Sequence, residues 1–349
     1  MAKGRGALGN PPNRYASFGR EAVDDGWPQE DEAPRLRTSV REETAGRIIT
    51  ENDSPDVPFD RSINAYRGCE HVCIYCYARP SHAYLGLSPG LDFETKLIAK
   101  PNAAAALRAE LAKPGYRASP ISLGANTDPY QPIERDYQIT RSVIEVLAEH
   151  RHPFTIVTKS ALVERDIDLL APLARQRLVH VFISLAMLDG EVARRLEPRA
   201  AAPQRRLRTI QSLSAAGIPV GVLVAPVIPL ITEPELEKVI AAAAQAGATS
   251  AACIVLRLPL ELADLFKDWL REHYPQRAAH VMSHIHDMRG GRDNDPRFGS
   301  RMRGQGHYAE LIHKRFALAM RRAGLEHRQV DLDSSQFTPP SRGEQLALF

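Results

Sequence analysis

Cysteine is scarce in this chain, four residues in 349, and three of the four fall between positions 69 and 76. Such clustering excludes a disulfide framework, which needs pairs spread over a small secreted domain. Long uninterrupted apolar runs are lacking, and the start Met-Ala-Lys-Gly-Arg-Gly carries no signal-peptide pattern, so neither a membrane span nor export is expected. A large charge excess is lacking as well: the formal net charge is +3, and composition alone does not mark a nucleic-acid binder. What is present, 44% hydrophobic and 25% charged residues, fits one sizeable globular enzyme domain with tails.

Cys69, Cys73 and Cys76 form a Cys-x3-Cys-x2-Cys run that offers a metal three thiolates and no obvious fourth. Structural zinc closes its tetrahedron with four Cys or His ligands, usually as two separated pairs, and no second pair follows. His71 lies too close in sequence to Cys69 and Cys73 to complete a tetrahedron without strain, and Cys253 stands alone far downstream. Soft thiolates select iron-sulfur clusters or zinc. Three ligands with one open position favour a cluster available for chemistry, and zinc is the alternative.

Residues 1–55, rich in Gly, Pro and charge, read as a flexible N-terminal extension. A core is expected over 56–275. β-like segments fall at 121–124, 154–158, 179–184, 220–225 and 251–256, separated by helical stretches at 138–150, 165–175, 204–216 and 233–246. Strand alternating with helix predicts parallel strands joined by right-handed crossovers, with function at their carboxyl ends. An Arg/Gly-rich segment and a helix over 308–323 occupy 276–328, and 329–349 reads as a flexible tail.

The cysteine spacing with Tyr75 before the last cysteine, flanked by Ile63-Asn-Ala-Tyr-Arg-Gly-Cys69 and Cys76-Tyr-Ala-Arg79, resembles the signature of the radical S-adenosylmethionine (SAM) superfamily. Within it the flanks are similar to the branch of spore photoproduct lyase and the DNA repair photolyase-like proteins. The resemblance implies an incomplete (β/α)6 TIM-type barrel, counting the strand that leads into Cys69. It implies a four-iron four-sulfur (4Fe-4S) cluster on the three cysteines, SAM on the open iron, and a 5'-deoxyadenosyl radical that abstracts hydrogen from substrate. It also implies an electron donor such as flavodoxin or ferredoxin and, with an oxygen-sensitive cluster, a cytoplasmic location.

Residue by residue, the resemblance places Gly124, Asn126, Thr127 and Asp128 near the SAM amino group, and Lys159 near its carboxylate. Ser184 falls near the ribose, Tyr75 beside the cluster, and Glu197 facing the cofactor or a partner arginine; the Ala225-Pro-Val-Ile-Pro229 strand end shapes the wall beside the adenine. Thr-Asp-Pro is equally good turn chemistry, and a lysine or serine at a strand end has structural uses. Asn126 stands where spore photoproduct lyase carries its hydrogen-donating cysteine, so reversal of the spore lesion is not expected unless Cys253 or a tyrosine such as Tyr130 donates. Val72, where relatives carry glycine, and Ala65, where they often carry proline, are milder departures.

Between 283 and 307, His284, His286, Arg289, Arg292, Arg297, Arg301 and Arg303 are interleaved with glycines. Such spacing suits a phosphate backbone, or an arginine-rich lid satisfied by Asp287, Asp293 and Asp295. The terminal Gln345-Leu346-Ala-Leu348-Phe349 resembles the peptide by which bacterial repair proteins dock on the DNA sliding clamp; an apolar terminus packed on its own domain is the alternative. The expectation is a radical SAM enzyme acting on DNA or a nucleotide-like substrate. Radical modification of a small molecule or protein, and a non-catalytic iron-sulfur or zinc module, are the alternatives.

Overall fold

A computed structural model describes residues 4–15, 36–325 and 331–340. The chain runs β1 (Ser39–Glu42), β2 (Ile49–Glu51), β3 (Arg61–Ile63), β4 (Tyr66–Arg67), a 3-10 helix (Arg79–Leu85), α1 (Leu91–Thr95), β5 (Lys96–Ala99), α2 (Ala103–Leu111) and β6 (Ile121–Leu123). It continues through α3 (Glu134–Tyr137), α4 (Ile139–Glu149), β7 (Phe154–Thr158), α5 (Ile167–Arg175), β8 (Val179–Ser184), α6 (Gly190–Leu196), α7 (Pro203–Ala215) and β9 (Val220–Val227). The last elements are α8 (Leu236–Gln245), β10 (Ser250–Val255), α9 (Leu262–His273), α10 (Ala278–Met288) and α11 (Gly306–Arg322).

The major sheet has the order β10-β9-β8-β7-β6-β3-β2. Six of its strands, β3 and β6 through β10, pair in parallel in sequence order, and β2 adds antiparallel to β3. Alternate residues on one face of these strands are apolar and buried, namely Ile121, Leu123, Phe154, Ile156, Val179, Val181, Ile183, Val220 and Val222, while the intervening positions are mixed, with Ser122, Thr155, His180 and Gly221 among them. The helices answer at helical period, with Ile139, Val143 and Leu147 buried on α4 and Leu236, Val239, Ile240 and Ala243 on α8. The mixed α/β architecture with a parallel sheet therefore follows the sequence expectation.

The extension expected to be flexible is a correction where it is described. β1 pairs with β5 and β2 with β3. Glu110 accepts the amides of Ile48 and Ile49, and Asn102 exchanges two hydrogen bonds with the Ala45 backbone. Residues 4–15 lie against α1 and the 3-10 helix: Glu94 accepts from Gly6 N and Ala7 N, and Asn13 donates to the carbonyls of Ala83 and Leu87. Distant polar side chains hold these segments, so no apolar periodicity announces them.

At the other end of the chain, residues 331–340 return along the amino ends of the parallel strands. Asp333 N donates to Arg177 O and Thr338 N to His150 O, and the Phe337 ring packs on Tyr116 and His152 at 5.5 and 5.3 Å. The clamp-like residues Gln345, Leu346, Leu348 and Phe349 lie outside the described residues.

Candidate cofactor site at the carboxyl ends of the strands

The cysteine loop is an excursion between β4 and β5, whose antiparallel pairing sets Tyr66 opposite Ala99 and Arg67 opposite Ile98. Gly68 starts it at φ +75, and a Cβ there would meet Leu97 Cδ2 at 2.6 Å and Phe93 O at 2.8 Å, so no larger residue fits. Gln131, fully buried, clamps the turn by donating to Gly68 O at 3.1 Å and accepting Glu70 N at 2.9 Å. Arg79, also fully buried, donates to Cys73 O at 2.9 Å and to Glu94 at 2.5 Å. Val72 takes the left-handed backbone at φ +53, which is why relatives' glycine suits that position.

Behind the loop the strand ends form a polar network. Asp128, after β6, accepts from Thr158 Oγ1 at 2.7 Å, Lys159 N at 2.7 Å and Tyr130 N at 2.9 Å, and His71 Nδ1 lies 3.2 Å away. Burial opposes its charge, but His71 and the donated hydrogen bonds hold it down to about 2. With its oxygens so occupied, Asp128 ties the cysteine loop to β7. Thr127 spends its hydroxyl on Tyr66 O, and Asn64 Oδ1 accepts the amides of Asn126 and Thr127. Gly124 lies at φ +90, and a Cβ there would stand 2.4 Å from Val157 O. Its conformational freedom serves the fold at that point.

Lys159 and Ser184 are brought together, with Nζ donating to Ser184 Oγ at 3.0 Å and lying 5.8 Å over the Tyr75 ring. Burial opposes its charge, yet Cys73 and Glu197 beside it raise its pKa and keep it cationic. Glu197 accepts from the Tyr75 hydroxyl on one oxygen and from Arg206 on the other, so its partner arginine is Arg206. The same guanidinium donates to Ser184 O at 3.0 Å.

Neither proposed alternative hydrogen donor faces this network. The Cys253 sulfur lies 3.8 Å from His313 Nδ1 on α11, on the helix side of β10. Tyr130, fully buried, donates to Asp166 at 2.9 Å. Most of the arginine-rich segment is consumed internally: Arg289 donates to four backbone carbonyls, Arg297 pairs with Asp295, and Arg301 with Asp56 and Ser54. His71, Arg79, Gln131 and Arg206 were missed as site builders, because each acts through a partner that only the fold brings to it; the Cys-x3-Cys setting of His71 and the flank that ends at Arg79 were the signals available.

The residues present fit an iron-sulfur cluster with SAM. Burial holds the Cys69 thiol well above its ordinary pKa and pushes that of Cys73 up to about 12. A bound cationic cluster supplies the charge that makes such thiolates stable. Lys159 uses one of its three donors on Ser184, leaving two for a carboxylate beside the cysteine loop.

A cysteine loop backed by buried polar groups at the carboxyl ends of a parallel sheet defines a cofactor-dependent α/β protein. The chain belongs to the radical SAM superfamily, whose model matches residues 63–243, and the cofactors of that family are a 4Fe-4S cluster and SAM. An uncharacterized protein of Mycobacterium tuberculosis is 41% identical over 222 residues, covering 63% of this chain and 65% of that protein. The chain thus spans just under two thirds of that relative. A protein of Methanocaldococcus jannaschii is 27% identical over 173 residues, 50% and 62% of the two chains. Spore photoproduct lyase complexed with dinucleoside spore photoproduct has a similar fold: TM-score 0.57 at 16% identity, over 85% of this chain and 84% of that one. A mutant of the same enzyme with bound AdoMet and dinucleoside spore photoproduct matches at TM-score 0.56 and 16% identity, over 84% and 83%.

Proposed function

We propose that this protein is a radical SAM enzyme built on an incomplete (β/α)6 barrel and acting on DNA or a nucleotide-like substrate. The observation that carries the reading is the placement of Lys159 and Ser184, 3.0 Å apart, against Tyr75 inside the Cys69, Cys73, Cys76 loop. When bound, the reduced cluster and SAM supply a 5'-deoxyadenosyl radical for hydrogen abstraction. Cys69, Cys73 and Cys76 would hold the cluster, Lys159 the SAM carboxylate and Ser184 its ribose, while Gly124, Asn126, Thr127 and Asp128 form the turn beside its amino group. Tyr75 and Arg206 hold Glu197 behind them. The likeness in fold to spore photoproduct lyase with bound dinucleoside spore photoproduct supports the substrate class, and Asn126, together with the outward Cys253 and the engaged Tyr130, argues for a reaction other than reversal of that photoproduct.

A reducing compartment, the cytoplasm, suits this chemistry, with a flavodoxin or ferredoxin as electron donor. Among the described residues no helix is long and apolar enough to cross a membrane. Docking of Gln345, Leu346, Leu348 and Phe349 on a DNA sliding clamp is part of the same proposal, supported by their sequence alone. Anaerobic reconstitution with iron and sulfide, followed by reduction with SAM, tests the enzyme reading. 5'-Deoxyadenosine is the expected product, and its absence from cluster-loaded protein would leave only a binding module.

A further inference from the structure

Arg257 follows β10 by two residues and sits where the two open edges of the major sheet approach each other. Arg301, bonded to Asp56 and Ser54, and Gly299 N, donating to Asp56 at 2.6 Å, bridge the segment after α10 to the loop between β2 and β3. Arg289 braces the same corner through the carbonyls of Val255, Leu256, Ser300 and Arg301. These two arginines are therefore spent on structure.

Arg257 is not spent. Among the described residues it has no carboxylate partner; one terminal nitrogen reaches only the Met302 sulfur at 3.5 Å, and its Nε is buried with no hydrogen-bond acceptor. Its guanidinium lies 5.5 Å over the ring of Tyr77, the residue after Cys76. Tyr77 in turn donates to Ala125 O, in the loop that carries Asn126. Burial and the Arg301 charge lower its pKa from the ordinary value, with Asp56 and Tyr77 opposing. A half-buried guanidinium with unfilled donors is costly to leave unpaired, and its planar fork suits a phosphate.

We propose that Arg257 binds a phosphodiester of the substrate at the carboxyl end of β10, setting the adjoining nucleotide over Tyr77 beside the cysteine loop. This rests on the nucleic-acid reading above. It places the phosphate contact at a single half-buried arginine and not along the arginine-rich segment.

The test uses cluster-loaded protein with SAM and two probes: a short thymidine oligonucleotide with phosphodiester or uncharged methylphosphonate linkages, and inorganic phosphate read by thermal stabilisation. Wild type is expected to prefer the phosphodiester form, Arg257→Gln to bind it roughly ten- to a hundredfold more weakly, and Arg257→Lys to fall between. The exposed Arg292→Gln should bind as wild type. Phosphate should stabilise wild type and not Arg257→Gln. If neither oligonucleotide binds but phosphate still stabilises wild type alone, the anion site stands and the nucleic-acid reading fails. Equal oligonucleotide binding and equal phosphate response in wild type and Arg257→Gln would overturn the assignment to Arg257. Should Arg257→Gln not load its cluster, undiminished binding by Arg257→Lys overturns the requirement for a guanidinium fork.

Discussion

At the carboxyl ends of the parallel strands, buried ionic groups meet their partners: Arg206 pairs with Glu197 and Arg79 with Glu94, while Asp128 lies 3.2 Å from His71 Nδ1. At the amino ends the ion pairs of Arg177 with Asp331 and Asp333 lie at the surface, and the groups that pack inward are aromatic or neutral. There Phe337, Tyr116 and His152 stack, and the Tyr116 hydroxyl reaches His152 Nε2 at 2.8 Å. Burying charge costs several kcal/mol per ion unless it is paired and hydrogen-bonded, so an end that carries it gives up stability for position.

The sharpest way to break this contrast is Cys73→Ala, which removes one of the three proposed cluster ligands. Loss of the visible iron-sulfur absorbance and of 5'-deoxyadenosine formation is expected, with the far-ultraviolet spectrum retained. Arg206→Met comes next. It leaves Glu197 buried without its cation, and the expected destabilisation is about 3–5 kcal/mol in denaturant titration. Adding Glu197→Gln should recover most of that, because the uncompensated charge is gone.

The amino end yields smaller effects and no chemical ones. Burial lowers both His152 and His180 to about 4 from an ordinary 6.5. Between those values the unfolded chain takes up protons that the folded chain refuses, so stability held above pH 6.5 is lost as pH falls towards 4. The loss approaches roughly 3 kcal/mol per histidine; unfolding midpoints measured from pH 7 to 4 check it, and His152→Gln should shallow the slope. Phe337→Ala, at a half-buried ring, should cost about 2 kcal/mol. Its 5'-deoxyadenosine yield per folded molecule should match wild type, and a drop would show that the two ends are coupled.

Much of this division was legible in the sequence, and the reason is period. β7 (154–158) and β8 (179–184) coincide with the apolar runs that announce them, and α4, α5, α7 and α8 lie within one to three residues of their expected bounds. The three cysteines are local in sequence, so their spacing alone marked them. Interactions that carry no period stayed hidden: Glu110 accepting the amides of Ile48 and Ile49, Glu94 accepting those of Gly6 and Ala7, and Gln131 closing the cysteine turn. These made an ordered strap out of what composition presents as a flexible extension. The arginine-rich segment was legible in part: Asp295 takes Arg297 and Asp293 meets His286, as the lid alternative expects, whereas Arg289 turns to backbone carbonyls and Arg301 to the distant Asp56.

The central claim is that the carboxyl end holds a cluster through three thiolates with one iron open to SAM beside Lys159. Electron paramagnetic resonance of the anaerobically reconstituted, reduced protein tests it most directly. The signal of a 4Fe-4S cluster that changes on adding SAM, with the change weakened in Lys159→Ala, is the predicted result. A 4Fe-4S signal indifferent to SAM in the wild type, or a protein that retains zinc and no iron, would contradict it.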